Sequence, residues 1–373
     1  MEIRSFKDLN HNLISYVFSF SSRKDITQFR EIKNKRLFTL IIKLSKSFHQ
    51  IIGIKKANVL KTDEFTVHSF LYIEKYNKDV VYCSASSGHI YEFNLNTNLI
   101  NPLTTDDTKH NGYAHCLNKL KLGSKYMIVS SSDDMIVKIW DLSNFSCVHS
   151  INISHITYLN KVIEYQKQTV LIIYTYSLFK LYLISEKDND EGISSSHMFD
   201  LTGHENYIYC SLYVQKVNPD LIITGGYGRF LHFWSIEQKN SIKIVAHEDG
   251  IWALIYLKNY DRKMIASGSW DKSIKIWDID SRCLISTHLA HSGMIYGLTN
   301  HNTIDNRFMV SSGYDKNMKI WKFNDSSLQF DLVHEEKCTN QVRICSIQEI
   351  KGELVLFVSV TKTEISMFKI IIK

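Results

Sequence analysis

Residues 267–279 read S-G-S-W-D-K-S-I-K-I-W-D-I, and much of the chain repeats them. The stretch holds a small polar strand end, a tight turn at Asp271 and Lys272, and an alternating strand that closes on Trp277 and Asp278. Near copies stand at 130–142 (S-S-S-D-D-M-I-V-K-I-W-D-L) and 311–323 (S-S-G-Y-D-K-N-M-K-I-W-K-F). Residues 224–236 (T-G-G-Y-G-R-F-L-H-F-W-S-I) are a fourth copy, with Gly228 where the others carry Asp. Three weaker copies end on another aromatic at the Trp position: Phe93, Tyr182 and Phe368. With Trp140, Trp234, Trp277 and Trp321 they make seven endings, spaced 47, 42, 52, 43, 44 and 47 residues apart. A second ruler agrees. His110, His204, His247 and His291 each stand 24 residues before the turn position, at Asp134, Gly228, Asp271 and Asp315.

A strand-rich unit recurring every 40–45 residues or so predicts the blades of a propeller. The units resemble the WD-repeat family over about residues 57–373. The likeness is strong in blades two, four, five and six and weak in one, three and seven. It implies an all-β fold, a seven-bladed propeller of four-stranded blades. The stretch 365–373 reads as a third strand, so the seventh blade needs an outer strand from elsewhere. The segment from Lys56 to Lys61 (K-A-N-V-L-K) is placed to supply it. Such closure removes an open sheet edge.

The same resemblance assigns structural tetrads to His110, Ser130, Asp134 and Trp140, to His247, Ser267, Asp271 and Trp277, and to His291, Ser311, Asp315 and Trp321. In each, the imidazole links the turn carboxylate and the indole N–H to a strand hydroxyl, and buried polar groups need such partners. Blade four has His204, Thr224 and Trp234 without the Asp, so its turn is expected to be held less tightly. Ser, His and Asp also form hydrolase triads. Three repeats of one trio, with no G-x-S-x-G elbow, point to architecture instead.

The chain's 373 residues suffice for one large β domain and a small appendage. A 44% hydrophobic fraction indicates a substantial core. Seven cysteines show no C-x-x-C and no metal-ligand spacing, which suggests free thiols in a reducing compartment, cytoplasmic or nuclear. No secretory signal and no run of about 20 apolar residues stands out, so neither export nor a membrane is expected. No phosphate-cradling loop, metal cluster or paired acids suggest an enzyme or a cofactor; Gly225-Gly226-Tyr227-Gly228 reads as a blade turn. The net charge of +6 is uneven. Residues 1–56 hold 12 basic and 4 acidic residues, a net of +8, which leaves −2 for the rest. That segment therefore favours an acidic partner.

The period changes in residues 1–50. Leu9, Leu13 and Val17 recur every four residues with Ile14 and Phe18 beside them, after Asp8 as an N-cap. Ser22 and Asp25 hold capping-box spacing before Ile26, Phe29 and Ile32. A third helix is expected from about Asn34 to His49. Helices this short need a partner or the propeller to bury their apolar sides. Residues 9–32, L-N-H-N-L-I-S-Y-V-F-S-F-S-S-R-K-D-I-T-Q-F-R-E-I, resemble an F-box. Asn10 stands where that family usually has Pro. The resemblance implies docking on the adaptor subunit of a cullin-based ubiquitin ligase, through Leu9, Leu13, Ile14, Val17, Phe18, Ile26 and Phe29. The bland alternative is a helical lead-in packed on the ring. A nucleic-acid arm is disfavoured, because the basic residues are spread rather than packed in one tract.

In a propeller two positions per blade point to one face: the fifth residue after the His, and the residue before the turn Asp. They are Tyr209 and Tyr227 in blade four, with Tyr207 nearby, then Trp252 and Trp270, then Tyr296 and Tyr314 with Met294. Blade two gives His115 and Asp133 with Tyr113 nearby, blade one His68 and Ser86, and blade seven Arg343 and Thr361, with Cys338 at the His position. Blade three is too degenerate to place. Clustered aromatics on a face mark a binding site, although some rings are expected to tuck into the channel mouth. With only Arg343 and Arg229 near, the ligand expected is an apolar or cationic peptide rather than a phosphorylated one. The stretch 185–196 (S-E-K-D-N-D-E-G-I-S-S-S) reads as a mobile acidic loop on the opposite face. Together these features suggest a non-catalytic substrate receptor of a ubiquitin ligase. The alternative is a scaffold in RNA processing, trafficking or chromatin.

Overall fold

The computed structural model describes residues 51–62, 65–73, 79–187, 192–215, 220–258, 262–300, 308–324, 327, 329–350, 353–360 and 364–372. The expected F-box-like helices, with Leu9, Leu13, Ile14, Val17, Phe18, Ile26 and Phe29, lie outside the described residues, as does Thr361. Among the described residues every regular element is a strand.

The strands form seven antiparallel sheets of four. Six sheets take their strands in chain order, within residues 67–102, 114–152, 159–202, 208–245, 251–289 and 295–337. The seventh takes three strands from 342–372, and its outer strand is Ile51–Lys61, paired along Glu364–Ile372. Lys61 faces Glu364 and Ile51 faces Ile372, so the stretch from Lys56 to Lys61 lies within this closing strand. The innermost strands of neighbouring blades touch all round, and blade seven meets blade one. Ser359 Oγ seals that joint by donating to the Val67 carbonyl at 2.9 Å.

The buried side chains form seven separate layers, one between each pair of neighbouring blades. This follows from the sequence pattern: the second strands are apolar and buried on both faces, as in Val80–Ala85 and Glu353–Val360. The closing aromatics Phe93, Trp140, Trp234, Trp277, Trp321 and Phe368 are buried in these layers, while Tyr182 is half-buried. The outer strands are mostly exposed or half-buried, as in Asn240–Val245.

The stretch 185–196 departs from its expectation as a loop. The third and outer strands of blade three, Leu178–Glu186 and Ile193–Thr202, stay paired out to Glu186 and Ile193. Ser185 and Ser194 face each other with their hydroxyls 2.8 Å apart. Serine side chains fit an antiparallel pair here, and the long repeat spacing is absorbed largely by longer strands.

Candidate protein-interaction face

Three blades hold the full polar network. Trp140 Nε1 donates to Ser130 Oγ at 2.8 Å, and Ser130 Oγ lies 2.7 Å from His110 Nε2. A hydroxyl that accepts from the indole is free to donate its own proton, so Nε2 accepts and Nδ1 carries the hydrogen toward Asp134 Oδ2 at 2.8 Å. Blades five and six repeat this through His247, Ser267, Asp271 and Trp277, and through His291, Ser311, Asp315 and Trp321. Burial works to raise the Asp315 carboxyl, but the His291 bond and backbone N–H groups prevail and hold it at about 2. Asp134 and Asp271 are lowered in the same way. Ser130, Ser267 and Ser311 are fully buried, so no substrate reaches these hydroxyls. The trios hold the blades together.

Blade four lacks the carboxylate. Trp234 Nε1 donates to Thr224 Oγ1 at 2.8 Å, and Thr224 lies 2.6 Å from His204 Nε2. The turn has also changed. Met135, Lys272 and Lys316, which follow the three Asp residues, have positive φ, while Arg229 after Gly228 does not.

A recurrent backbone irregularity builds the face. The innermost strand carries a bulge in six of the seven blades, and the residues bulged out are His68, His115, Tyr209, Trp252, Tyr296 and Arg343. A bulge re-aims the extra side chain. In blade three the innermost strand, Leu159–Tyr165, pairs without one, and Tyr158 just before it joins the set.

Taken in blade order, these side chains pack ring on ring. Centroids are 5.1 Å apart for His68 and His115, 4.8 Å for His115 and Tyr158, and 6.1 Å for Tyr158 and Tyr209. The run continues at 3.9 Å from Tyr209 to Trp252 and 5.5 Å from Trp252 to Tyr296. Arg343, exposed, places its charge near Tyr296 on one side and near His68 and His115 on the other.

A second tier lies beside this one in blades four to six, fixed by a backbone bond from the second face position to the residue two before the first. Tyr227 N–H donates to the Tyr207 carbonyl at 2.9 Å, Trp270 to Gly250 at 2.9 Å, and Tyr314 to Met294 at 2.8 Å. Gly226 makes the first approach possible, because a Cβ there would collide with the Tyr207 carbonyl. Tyr227 and Tyr314 are about half exposed, at 53% and 49%. Trp270 stacks on Trp252 at 5.1 Å and meets Tyr227 edge-on at 5.9 Å.

All seven aromatics predicted for the face therefore converge: Tyr207, Tyr209, Tyr227, Trp252, Trp270, Tyr296 and Tyr314. Tyr207, Tyr209, Trp252, Trp270 and Tyr296 are half-buried. Sequence reasoning missed Tyr158 and Tyr176. Tyr176 is exposed, meets Tyr207 edge-on at 4.5 Å and donates to Asn206 Oδ1 at 3.2 Å. Counting back from Tyr182 by the offsets of blade four lands on Thr157 and Thr175, each one residue short.

The electrostatics favour neutral rings. Burial, reinforced by Tyr158, Tyr207 and Tyr227, pushes the Tyr209 phenol up to about 12. His68 is lowered to about 3, first by burial and then by His115 and Arg343. His115 is lowered by burial against the opposing pull of Asp133, whose Oδ1 lies 2.7 Å from His115 Nε2. The face thus offers flat apolar area, phenol hydroxyls and one guanidinium. Among the described residues no group of His, Cys, Asp and Glu is arranged to hold a metal ion. The six described cysteines are free thiols, and no described helix is long and apolar enough to cross a membrane.

Comparison with known proteins agrees with the repeats. The family model described as WD domain, G-beta repeat matches residues 108–141, 238–278 and 282–322. The second and third matches begin at the outer strand of one blade and run through the first three strands of the next. No curated protein matches the chain. These repeats, together with the seven-bladed ring, support a place in the WD-repeat propeller family. Such a propeller suggests a protein-interaction scaffold rather than a catalyst.

Proposed function

We propose that this chain is a non-catalytic substrate receptor of a cullin-type ubiquitin ligase, acting in the cytoplasm, the nucleus or both. Its aromatic face holds a peptide segment of the substrate. The observation that carries the binding part is the unbroken run of rings from His68 to Tyr296, flanked by exposed Tyr227 and Tyr314. Tyr and Trp give contact area at low entropic cost, and their π-faces suit an apolar or cationic side chain. The link to the ligase rests on the F-box-like pattern at Leu9, Leu13, Ile14, Val17, Phe18, Ile26 and Phe29 and on the basic charge around it. A scaffold role in another complex is the reading that remains if that pattern binds no adaptor.

The deciding experiment is an affinity purification of the full chain beside a form lacking residues 1–50, which keeps the closing strand Ile51–Lys61. Adaptor and cullin should accompany only the full chain, and Leu13→Asp with Val17→Asp should release both while the propeller stays folded. Unchanged recovery of adaptor and cullin by the double variant would remove the ligase role.

A further inference from the structure

Blade four departs from its neighbours at two places that adjoin. Gly228 stands where Asp134, Asp271 and Asp315 stand, and His232 stands where Lys138, Lys275 and Lys319 stand. In the other three blades the carboxylate meets two donors at the start of the preceding loop. One is the imidazole Nδ1, at 2.8 to 2.9 Å. The other is the next backbone N–H, of Asn111, Glu248 and Ser292, at 3.0 to 3.1 Å. Their equivalents in blade four are His204 Nδ1 and the Glu205 N–H, and among the described residues no carboxylate meets them. The Glu205 carboxylate is instead paired with Lys243.

The tautomer of His204 follows from its neighbours. Trp234 Nε1 donates to Thr224 Oγ1, so the Thr224 hydroxyl donates to His204 Nε2 and the hydrogen of the neutral ring sits on Nδ1. This N–H points to where the other blades place an anion. The space there is a small recess open to solvent, lined by His204, Glu205, Asn206, Gly228, Phe230 and His232. A Cβ built on Gly228 meets only the edge of Phe230, at 3.4 Å. His232, 2% exposed, packs its ring 4.1 Å from that of His204, and its Nδ1 is buried without a partner among the described residues. The recess borders the aromatic face, because Tyr227 precedes Gly228 and Asn206 is bonded to Tyr176.

We infer that blade four carries a vacant carboxylate site, and that an aspartate or glutamate side chain of the peptide bound on the aromatic face fills it. The incoming carboxylate takes the two donors that the chain's own Asp takes in blades two, five and six. The inference rests on the proposed peptide-binding role for its ligand, but not for the site itself. Both histidines are kept neutral by burial, at about 3 for His204 and about 4 for His232, so the site binds its anion by hydrogen bonds rather than by a fixed positive charge.

The test separates these two parts. Sodium formate is titrated into the full chain at constant ionic strength against chloride, and the imidazole resonances of His204 and His232 are followed by NMR. Saturable shifts of both rings are expected. Gly228→Asp, which supplies the carboxylate internally, should abolish the shifts, and Gly228→Ala should retain them. Non-saturating shifts, or shifts that survive Gly228→Asp, overturn the site. Next, peptides that carry an aspartate or glutamate beside apolar or cationic residues, and whose binding Trp252→Ala weakens, are offered to Gly228→Asp. At least about ten-fold weaker binding is expected, the size of one lost charge-assisted bond. Equal binding overturns the assignment of the site to a peptide side chain. If no peptide responds to Trp252→Ala, the peptide-binding role has failed, while the formate titration still decides whether the site exists.

Discussion

Tyr209 and Trp252 stack with ring centroids 3.9 Å apart, each being the residue bulged out of the innermost strand of its own blade. Two neighbouring blades thus present one continuous aromatic surface, and Trp252 is its hub. It touches Tyr209, Trp270 and Tyr296.

Trp252→Ala should therefore damage binding more than folding. Across an array of substrate-derived peptides we expect a loss of ten-fold or more, in the range of an interface hot spot. The melting temperature should move little, because Trp252 is only half-buried. Unchanged peptide binding would count against the face as the docking site.

Ser267→Ala should cost about 2 to 4 kcal/mol in urea unfolding, because the hydroxyl joins two buried partners, Trp277 Nε1 and His247 Nε2, and its removal orphans both. Ser267→Thr should be milder, since Thr224 makes the same pair of bonds in blade four. Equal costs for the two substitutions would mean that the hydroxyl is not the node.

Acidification should destabilise the ring in two stages. The folded-state pKa values of His68 and His204 are lowered to about 3, against about 6.5 in the unfolded chain. The stability they contribute is complete above pH 6.5 and is lost as pH falls toward 3, because the unfolded chain binds protons that the folded one refuses. Stability should fall between pH 7 and pH 5, by at most about 1.4 kcal/mol per pH unit for each histidine, and the melting temperature should fall with it. Asp134, Asp271 and Asp315 are also lowered, so their contribution disappears only below about pH 4. A melting temperature that stays flat from pH 7 to pH 5 would contradict the first stage.

Removal of residues 1–50 should leave a cooperative, monomeric propeller. Removal of residues 1–61 should not, because it strips Ile51–Lys61 from the edge of Glu364–Ile372 and leaves that strand unpaired. Light scattering and a thermal melt on the two truncations distinguish these outcomes.

Much of this was legible in the sequence wherever polar side chains recur at fixed offsets. The intervals between His110, Ser130, Asp134 and Trp140 are the signature of one hydrogen-bonded unit, and the same intervals at His247 and His291 locate two more blades. Tyr207, Tyr209, Tyr227, Trp252, Trp270, Tyr296 and Tyr314 could be placed on one face because bulge and turn sit at constant distances from those markers. Blade three was opaque because its strands are held by apolar packing around residues such as Phe179 and Leu181, with no polar set to count from. Tyr158 and Tyr176 escaped for that reason. The extended pairing at Glu186 and Ile193 escaped because a serine-rich, acidic composition resembles a loop. The recess in blade four could be read only as a missing Asp. That His232 lies against His204 is visible only in the packed structure.

Closure through Ile51–Lys61 also sets an order of events during synthesis. Its partner, Glu364–Ile372, emerges from the ribosome some three hundred residues later, and the Ser359 bond to Val67 spans a similar stretch. Blades one to six can each complete a sheet soon after their own strands appear, whereas Ile51–Lys61 must wait for the seventh blade. A growing chain of this protein therefore carries an unpaired closing strand until the seventh blade emerges, an edge open to wrong pairing in the meantime.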